Sequence, residues 1–262
     1  MDIFSRMNLR FRLLLALKTT RWAGLLALPL LAGCRHASVV PNPVVDYFPV
    51  AVGTYRTYAV TDSVWANARP TATTYQLRER VTEQFTDAAG QPAYRLVRSR
   101  RADASAGWVD DSVVVVQPSA RAVLLTQNNV RTVELIYPAR AGRGWNANAL
   151  NGSPDTIVSR TRFYTDKVGT PFTTPAAGGQ AAKTYDNTVM TKSTLDGGVE
   201  NINALSQMGL HQVYADGVGR VLRRRFSYAT FTANPDGSTN LTPGVVQRGA
   251  ARYEVLIDAG TI

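Results

Sequence analysis

Reactive side chains are scarce in this sequence. Its 262 residues include one cysteine, Cys34, and two histidines, His36 and His211. One cysteine excludes a disulfide within the chain and any cluster of thiolate metal ligands. Two histidines exclude a His-rich metal site and leave His211 as the sole usable base for a Ser-His-Asp triad; between Leu210 and Gln212 it reads as a strand or loop residue. Gly217 and Gly219 flank Val218, but the third glycine and the following helix of a dinucleotide loop are missing. Beyond residue 33 no segment approaches the roughly eighteen uninterrupted apolar residues that a spanning helix needs. These absences point away from an enzyme, and they imply no cofactor and no metal.

What is present begins with Leu28-Pro29-Leu30-Leu31-Ala32-Gly33-Cys34. An apolar run ending in Leu-Ala-Gly before a cysteine has the pattern of a lipobox. There a bacterial lipoprotein precursor is diacylated on the thiol and cleaved just before the cysteine. Arg6, Arg10, Arg12, Lys18 and Arg21 supply the preceding positive region, and Trp22 to Leu31 form the apolar one. About ten residues of helix span about 15 Å, half of a bilayer core of about 30 Å. Leu13 to Leu17 is apolar as well, but Lys18 and Arg21 separate the two runs. Residues 1–33 are therefore expected to be a signal peptide. Residues 34–45 follow as the lipidated cysteine and a tether in which Pro41 and Pro43 block regular structure. Diacylglycerol and an N-acyl chain on Cys34 would hold the body at a membrane, at about 0.8 kcal/mol per buried CH₂. The flank Arg35-His36-Ala37-Ser38 has no acidic residue, which favours the outer membrane and its periplasmic face.

The full chain carries a net charge of +10, and the five Lys/Arg and one Asp of residues 1–33 account for four of those charges. In an envelope protein the accessible anions are lipid phosphates, lipopolysaccharide and acidic glycans, so the basic balance does not imply nucleic acid. The residues identify no protein partner.

From Asp46 to Ile262 the chain reads as strands separated by turns. Thr54 to Trp65 is rich in Tyr, Thr and Val, and Tyr75 to Thr86 places Tyr75, Leu77, Val81 and Phe85 on one face. Ala93 to Arg101, Trp108 to Gln117, Ala122 to Thr126 and Val130 to Tyr137 follow. The four valines Val113 to Val116 suggest burial on both faces. Ala139 to Pro154, with Trp145, reads as a loop. Strands are expected at Thr156 to Asp166 and Thr184 to Lys192, joined by the Pro/Gly/Ala-rich Gly169 to Gln180. Val199, Ile202, Leu205 and Met208 recur three apart, which predicts a short helix capped by Gly209. Val218, Leu222, Phe226 and Tyr228 share one side of a late strand, Asn234-Pro235-Asp236-Gly237 is turn chemistry, and Ala251, Tyr253, Val255 and Ile257 alternate with Arg252, Glu254 and Asp258. The fold class is all-β, mainly antiparallel: a single strongly curved sheet, half-open or closed into a barrel.

Two stretches carry a resemblance. Asp46-Tyr47-Phe48-Pro49-Val50-Ala51-Val52-Gly53-Thr54-Tyr55-Arg56-Thr57-Tyr58 resembles the opening of many Bacteroidota lipoproteins of unknown function. Tyr214-Ala215-Asp216-Gly217-Val218-Gly219-Arg220-Val221 is similar to their late Tyr-Ala-x-Gly-Val-Gly-x-Val segment. Arg56 and Arg220 depart from the pattern, which has apolar residues there. The resemblance implies an architecture like the half-open barrel of periplasmic lipoprotein carriers and brings no catalytic residues.

Among charged residues, Asp110 and Asp111 face opposite sides of a strand and cannot form a carboxylate pair. Glu79 and Glu83 fall on an apolar face, where they either line a wet cavity or mark a register break or rim. In Arg223-Arg224-Arg225, Arg224 shares the side of Leu222 and Phe226 and could meet an anionic head group. Asn151-Gly152-Ser153 and Asn240-Leu241-Thr242 read as turns. Asp62-Ser63-Val64, Asp111-Ser112-Val113 and Asp155-Thr156-Ile157 match a short O-glycosylation pattern. The function these features favour is binding of a lipid or other hydrophobic ligand in an apolar groove lined by Tyr75, Leu77, Phe85, Leu222, Phe226 and Tyr253, with Arg224 at its edge. The alternatives are an assembly component of an envelope complex and a carboxylate-based glycan hydrolase using Glu79.

Overall fold

The computed structural model describes residues 45–151, 161–194, 201–202, 205–242 and 244–262. The expected lipobox, Cys34 and the expected tether to residue 44 lie outside them, as do Asp155-Thr156-Ile157 and the start of the strand expected from Thr156. Every regular element among the described residues is a strand. The strands β1 (Thr54–Ala66), β2 (Arg69–Thr86), β3 (Pro92–Arg101), β4 (Val109–Pro118), β5 (Ala122–Gln127) and β6 (Val130–Ile136) form an antiparallel meander. They are followed by β7 (Gly144–Asn146), β8 (Thr161–Thr174), β9 (Lys183–Thr194), β10 (Asn201–Ile202), β11 (Ser206–Ala215) and β12 (Gly219–Ala229). A separate hairpin of β13 (Phe231–Ala233) and β14 (Thr239–Leu241) precedes β15 (Arg248–Thr261).

The last strand inserts between β1 and β12. Twelve strands thus form one sheet in the order β6-β5-β4-β3-β2-β1-β15-β12-β11-β9-β8-β7, with β10 paired to β11 off that path. The sheet curls almost into a closed barrel, as the alternating pattern predicts. One seam, between β6 and β7–β8, has no ladder and is crossed by separate bonds. Val133 N–H donates to Ala147 O at 2.8 Å, Trp145 Nε1–H to Val133 O at 3.0 Å and the Tyr164 hydroxyl to Ile136 O at 2.7 Å.

Several expectations need correction. The segment read as a helix is strand at Asn201–Ile202 and from Ser206, because pairing with β12 overrides the three-residue spacing of its apolar side chains. The loop read around Trp145 contains β7, whose ladder with β8 buries the indole. Strand β8 runs on to Thr174, through half of the expected Gly169 to Gln180 connection. The valine run is not buried on both faces: Val114 is 2% exposed and Val113 is 49% exposed, since the barrel has only one inner face at β4.

Bulges give the sheet its curvature. The β2–β3 register skips Thr82, the β1–β15 register skips Ile257, the β11–β12 register skips Val221, and the β5–β6 register skips Glu134. Each skip reverses the inward-outward alternation beyond it. Where the ladder of β15 passes Trp65 and Tyr228, the paired residue is Gly249, at φ 152°. A Cβ there would strike the Ser227 carbonyl, so the two aromatic rings close over a glycine instead, 4.9 Å apart.

One end of the barrel is filled with apolar side chains. Val81, Leu96, Val114, Leu135, Trp145 and Tyr164 pack there against Tyr47 and Phe48, which enter from the N-terminal segment. The Tyr47 hydroxyl donates to Asn187 Oδ1 at 2.8 Å, and the Phe48 ring lies 6.2 Å from that of Tyr214. Arg56 fixes this plug, donating to Pro49 O at 2.5 Å and Val218 O at 2.6 Å with its guanidinium over the Phe48 ring.

Candidate functional site

Side chains from non-neighbouring strands can meet only on the concave side of a curled sheet, and this criterion finds the barrel interior. Glu79 of β2 reaches Arg220 of β12 at 3.1 Å across two intervening strands. Glu134 of β6 accepts from Gln212 Nε2 at 2.7 Å and from the Tyr214 hydroxyl at 2.6 Å, both on β11. Beyond the apolar plug, the interior therefore contains a charged chamber, next to the inward Tyr58, Val60, Tyr75 and Leu77 of a second apolar cluster.

Bulges aim two of its members. Glu134 is the extra residue between Val133 and Leu135, and the skip at Val221 lets both Arg220 and Arg223 point inward although they are three apart. Arg98 binds the Glu79 carboxylate through Nε at 3.0 Å and gives its Nη1 to Gln127 Oε1 at 2.8 Å. Arg162 pairs with Glu134 across the seam. Glu254 lies 3.2 Å from Arg220 and 3.8 Å from Arg223. Tyr58, stacked under Arg220 at 5.1 Å, donates to the Arg220 carbonyl at 3.2 Å.

The chamber holds four guanidinium groups (Arg98, Arg162, Arg220 and Arg223) against three carboxylates (Glu79, Glu134 and Glu254). Burial by itself would raise the Glu79 carboxyl, but Arg220, Arg98 and Arg56 outweigh it and bring it down to about 2. Glu134 is likewise held below the usual range, Arg162 and Arg223 prevailing over its burial. Burial also opposes the Arg220 charge, yet Glu79, Tyr58 and Glu254 keep it above its ordinary value. Arg223 differs. Burial lowers it, Glu254 opposes that from a distance, and Arg220 lowers it further. Its Nε and that of Arg220 are buried without acceptors among the described residues.

Next to these groups lies a cavity of about 360 Å³ at the barrel mouth, bordered by Arg98, Arg162, Arg220, Arg223 and Glu134. One step toward the rim, Asp62 receives Arg252 at 2.7 and 2.8 Å and the Tyr75 hydroxyl at 3.2 Å, and Arg100 covers the Tyr75 ring at 4.1 Å. Arg225 stands opposite Arg252 in the β12–β15 ladder and is exposed. The mouth is cationic from chamber to rim. Chemically it can hold an anion by charge-assisted hydrogen bonds in a partly desolvated site. Glu79, held ionised by the guanidinium groups of Arg220, Arg98 and Arg56, is no proton donor at neutral pH.

The seven residues expected to line a ligand groove do not share one face. Tyr75 and Leu77 pair with Val60 and Tyr58 on the inner side. The bulge at Thr82 sends Phe85, opposite Ala93, to the outer side. Leu222, Arg224, Phe226 and Tyr253 are on the outer side as well, the first three alternating along β12 and Arg224 paired with Tyr253. Arg224 lies over the Phe226 ring at 4.9 Å. Alternation within Arg223-Arg224-Arg225 was legible, but which side is the interior was not. Of the two readings of Glu79 and Glu83, each residue takes one: Glu79 lines the chamber, while Glu83, beyond the bulge, pairs with Arg95 outside at 3.1 Å. Arg98, Glu134, Arg162, Arg220 and Glu254 were not foreseen. The available signals were the arginines at positions 56 and 220, where the resembling pattern is apolar, and the charge inside Val133-Glu134-Leu135.

Among the described residues, no group of His, Cys, Asp or Glu is placed to hold a metal ion, and no helix is long and apolar enough to cross a membrane. No family model, curated protein or solved structure matches this chain.

Proposed function

We propose that the protein is an envelope lipoprotein, anchored through Cys34, whose barrel mouth binds the anionic head group of a small or amphiphilic ligand. The observation that carries this reading is the imbalance in the chamber: four inward guanidinium groups, three carboxylates, and a cavity of about 360 Å³ beside the least compensated cation, Arg223. A purely structural network would be expected to pair its members one to one, because an uncompensated buried charge costs several kcal/mol. The apolar plugged end is closed by Tyr47 and Phe48, and the second apolar cluster is filled by its own buried side chains, so it is the head group, rather than an acyl chain, that the mouth accommodates. An anchor at the outer membrane would keep the site beside anionic lipids and glycans. Binding rather than catalysis is proposed because the buried carboxylates are held ionised.

The test is native mass spectrometry of the lipidated protein extracted from cell envelopes. The expected result is a one-to-one anionic adduct that is lost in Arg223→Gln. A clean unliganded mass, with no change in stability on addition of glycerol 3-phosphate, would contradict the reading. Labelling with radioactive palmitate tests the anchor separately: Cys34→Ala should abolish it, and continued membrane attachment of that variant would refute the anchor.

A further inference from the structure

The outer wall of the barrel carries a second cationic region, and its arginines differ from those inside. Strands β8 and β9 project past the last β11 residue, Ala215, and the tip of their hairpin lies on the outer wall. Contact is close at Gly178, where a Cβ would come within 3.0 Å of Ala59 Cβ and 3.2 Å of Ile257 Cδ1. Beside this tip run two openings of about 560 and 580 Å³. They share Tyr55, Gln180, Ile257, Asp258 and Thr261, and so form one elongated cleft.

At one end of the cleft the Trp108 ring holds two cations, with the Arg78 and Arg101 guanidinium carbons each 4.3 Å from its centroid. At the other end Lys183 lies 5.1 Å from the Tyr185 ring. Two other outer arginines have carboxylate partners, Arg80 with Asp110 at 3.1 Å and Arg95 with Glu83 at 3.1 Å. Among the described residues no carboxylate pairs with Arg78 or Arg101. Arg101 bonds neutral acceptors, Gln76 Oε1 at 2.8 Å and Ala104 O at 3.3 Å, and the buried Arg78 Nε has no acceptor among the described residues. Burial and the like charges of Arg80 and Arg101 disfavour the charged form of Arg78, a penalty that a bound anion would relieve. Asp258, the acid that lines the cleft, is engaged by the Tyr55 hydroxyl at 3.0 Å.

We propose that this cleft binds an acidic oligosaccharide. The unpaired guanidinium groups suit a carboxylate. The glutamine amides 76 and 180 suit hydroxyls, the partly exposed Tyr55 ring suits the C–H face of a sugar, and the elongated form suits a chain. An acyl chain would find no continuous apolar wall there. The proposal concerns a site separate from the barrel mouth and stands without it.

The test uses the full protein and two probes, a hexameric oligogalacturonate and a neutral galactose hexamer, followed by calorimetry and by the Trp108 indole N–H resonance. The acidic probe should bind and shift that resonance saturably, and the neutral one should bind at least about tenfold more weakly. Arg78→Gln with Arg101→Gln should reduce acidic binding by about tenfold or more, while Arg95→Gln, which removes one charge elsewhere on the wall, should not. The indole shift in the unmodified protein keeps the test valid if the double variant folds poorly. Equal binding of both probes, no binding of the acidic one, its displacement by glycerol 3-phosphate, or equally tight binding of a poly-glutamate peptide or of phosphatidylglycerol vesicles would overturn the proposal.

Discussion

Along three strands the barrel interior changes character within two residues. Val81 gives way to Glu79 on β2, Leu96 to Arg98 on β3, and Tyr164 to Arg162 on β8. At the plugged end the packed side chains are apolar, and their contribution depends on volume and contact. Toward the mouth, ion pairs lie beside a second apolar cluster that includes Tyr58, Val60, Tyr75 and Leu77, and the contribution of those ion pairs depends on each partner remaining charged. Burial is therefore similar in the two halves while the conditions that maintain it differ. An apolar end needs no ligand, whereas a surplus cation at the mouth has a use for one.

The largest effect should come from breaking the charged half. Glu79→Gln leaves Arg98 and Arg220 without their shared carboxylate and should cost about 3–5 kcal/mol in urea unfolding. Replacing Glu79, Arg98 and Arg220 together by apolar residues of similar volume should recover much of that loss while leaving anion binding impaired. Failure of the triple replacement to recover any stability would mean that the charges themselves specify the fold.

Leu96→Ala, one step into the apolar half, should cost about 2–5 kcal/mol. Its cost should be the same at pH 7 and pH 4. A strongly pH-dependent cost would erase the distinction between the two halves.

Acid should act on the mouth. The folded Glu79 carboxyl titrates at about 2, against an ordinary 4.5. A carboxyl depressed in the folded state adds stability above its unfolded value, and that stability is lost as pH falls from about 4.5 toward 2. Thermal melts of the unmodified protein should therefore decline across this interval, and Glu79→Gln should flatten the decline. An unchanged slope in the variant would remove Glu79 from the account.

The smallest effect is expected outside. Arg95 and Glu83 form an exposed pair, and a double-mutant cycle should give about 0.2–1 kcal/mol of coupling, weakened further by salt. Coupling well above that range would make the wall electrostatics more important than their exposure suggests.

The sheet was legible in the sequence because period-two alternation and turn residues such as Asn234-Pro235-Asp236-Gly237 are local signals. The site was mostly not legible. Alternation says which residues share a side but not which side is concave, so Leu222, Phe226 and Arg224 were placed in a groove although they lie outside. Bulges at Thr82, Val221 and Glu134 then shift the count, and a bulge depends on the partner strand rather than on its own residues. Contacts such as Glu79 with Arg220, 141 residues apart, follow from strand order, which β15 sets by inserting between β1 and β12. Trp145 was assigned to a loop because three residues of strand are too few to show a period.

The central claim is that the mouth, and not the plugged end, receives an anion. Arginine side-chain Nε–H resonances, observed while glycerol 3-phosphate is added to the full protein at constant ionic strength, test it most directly. The account predicts saturable one-to-one shifts at Arg220 and Arg223, whose Nε groups lack acceptors among the described residues, with the Trp145 indole resonance unmoved. Shifts confined to exposed arginines such as Arg95 and Arg225, or none that saturate, would contradict it.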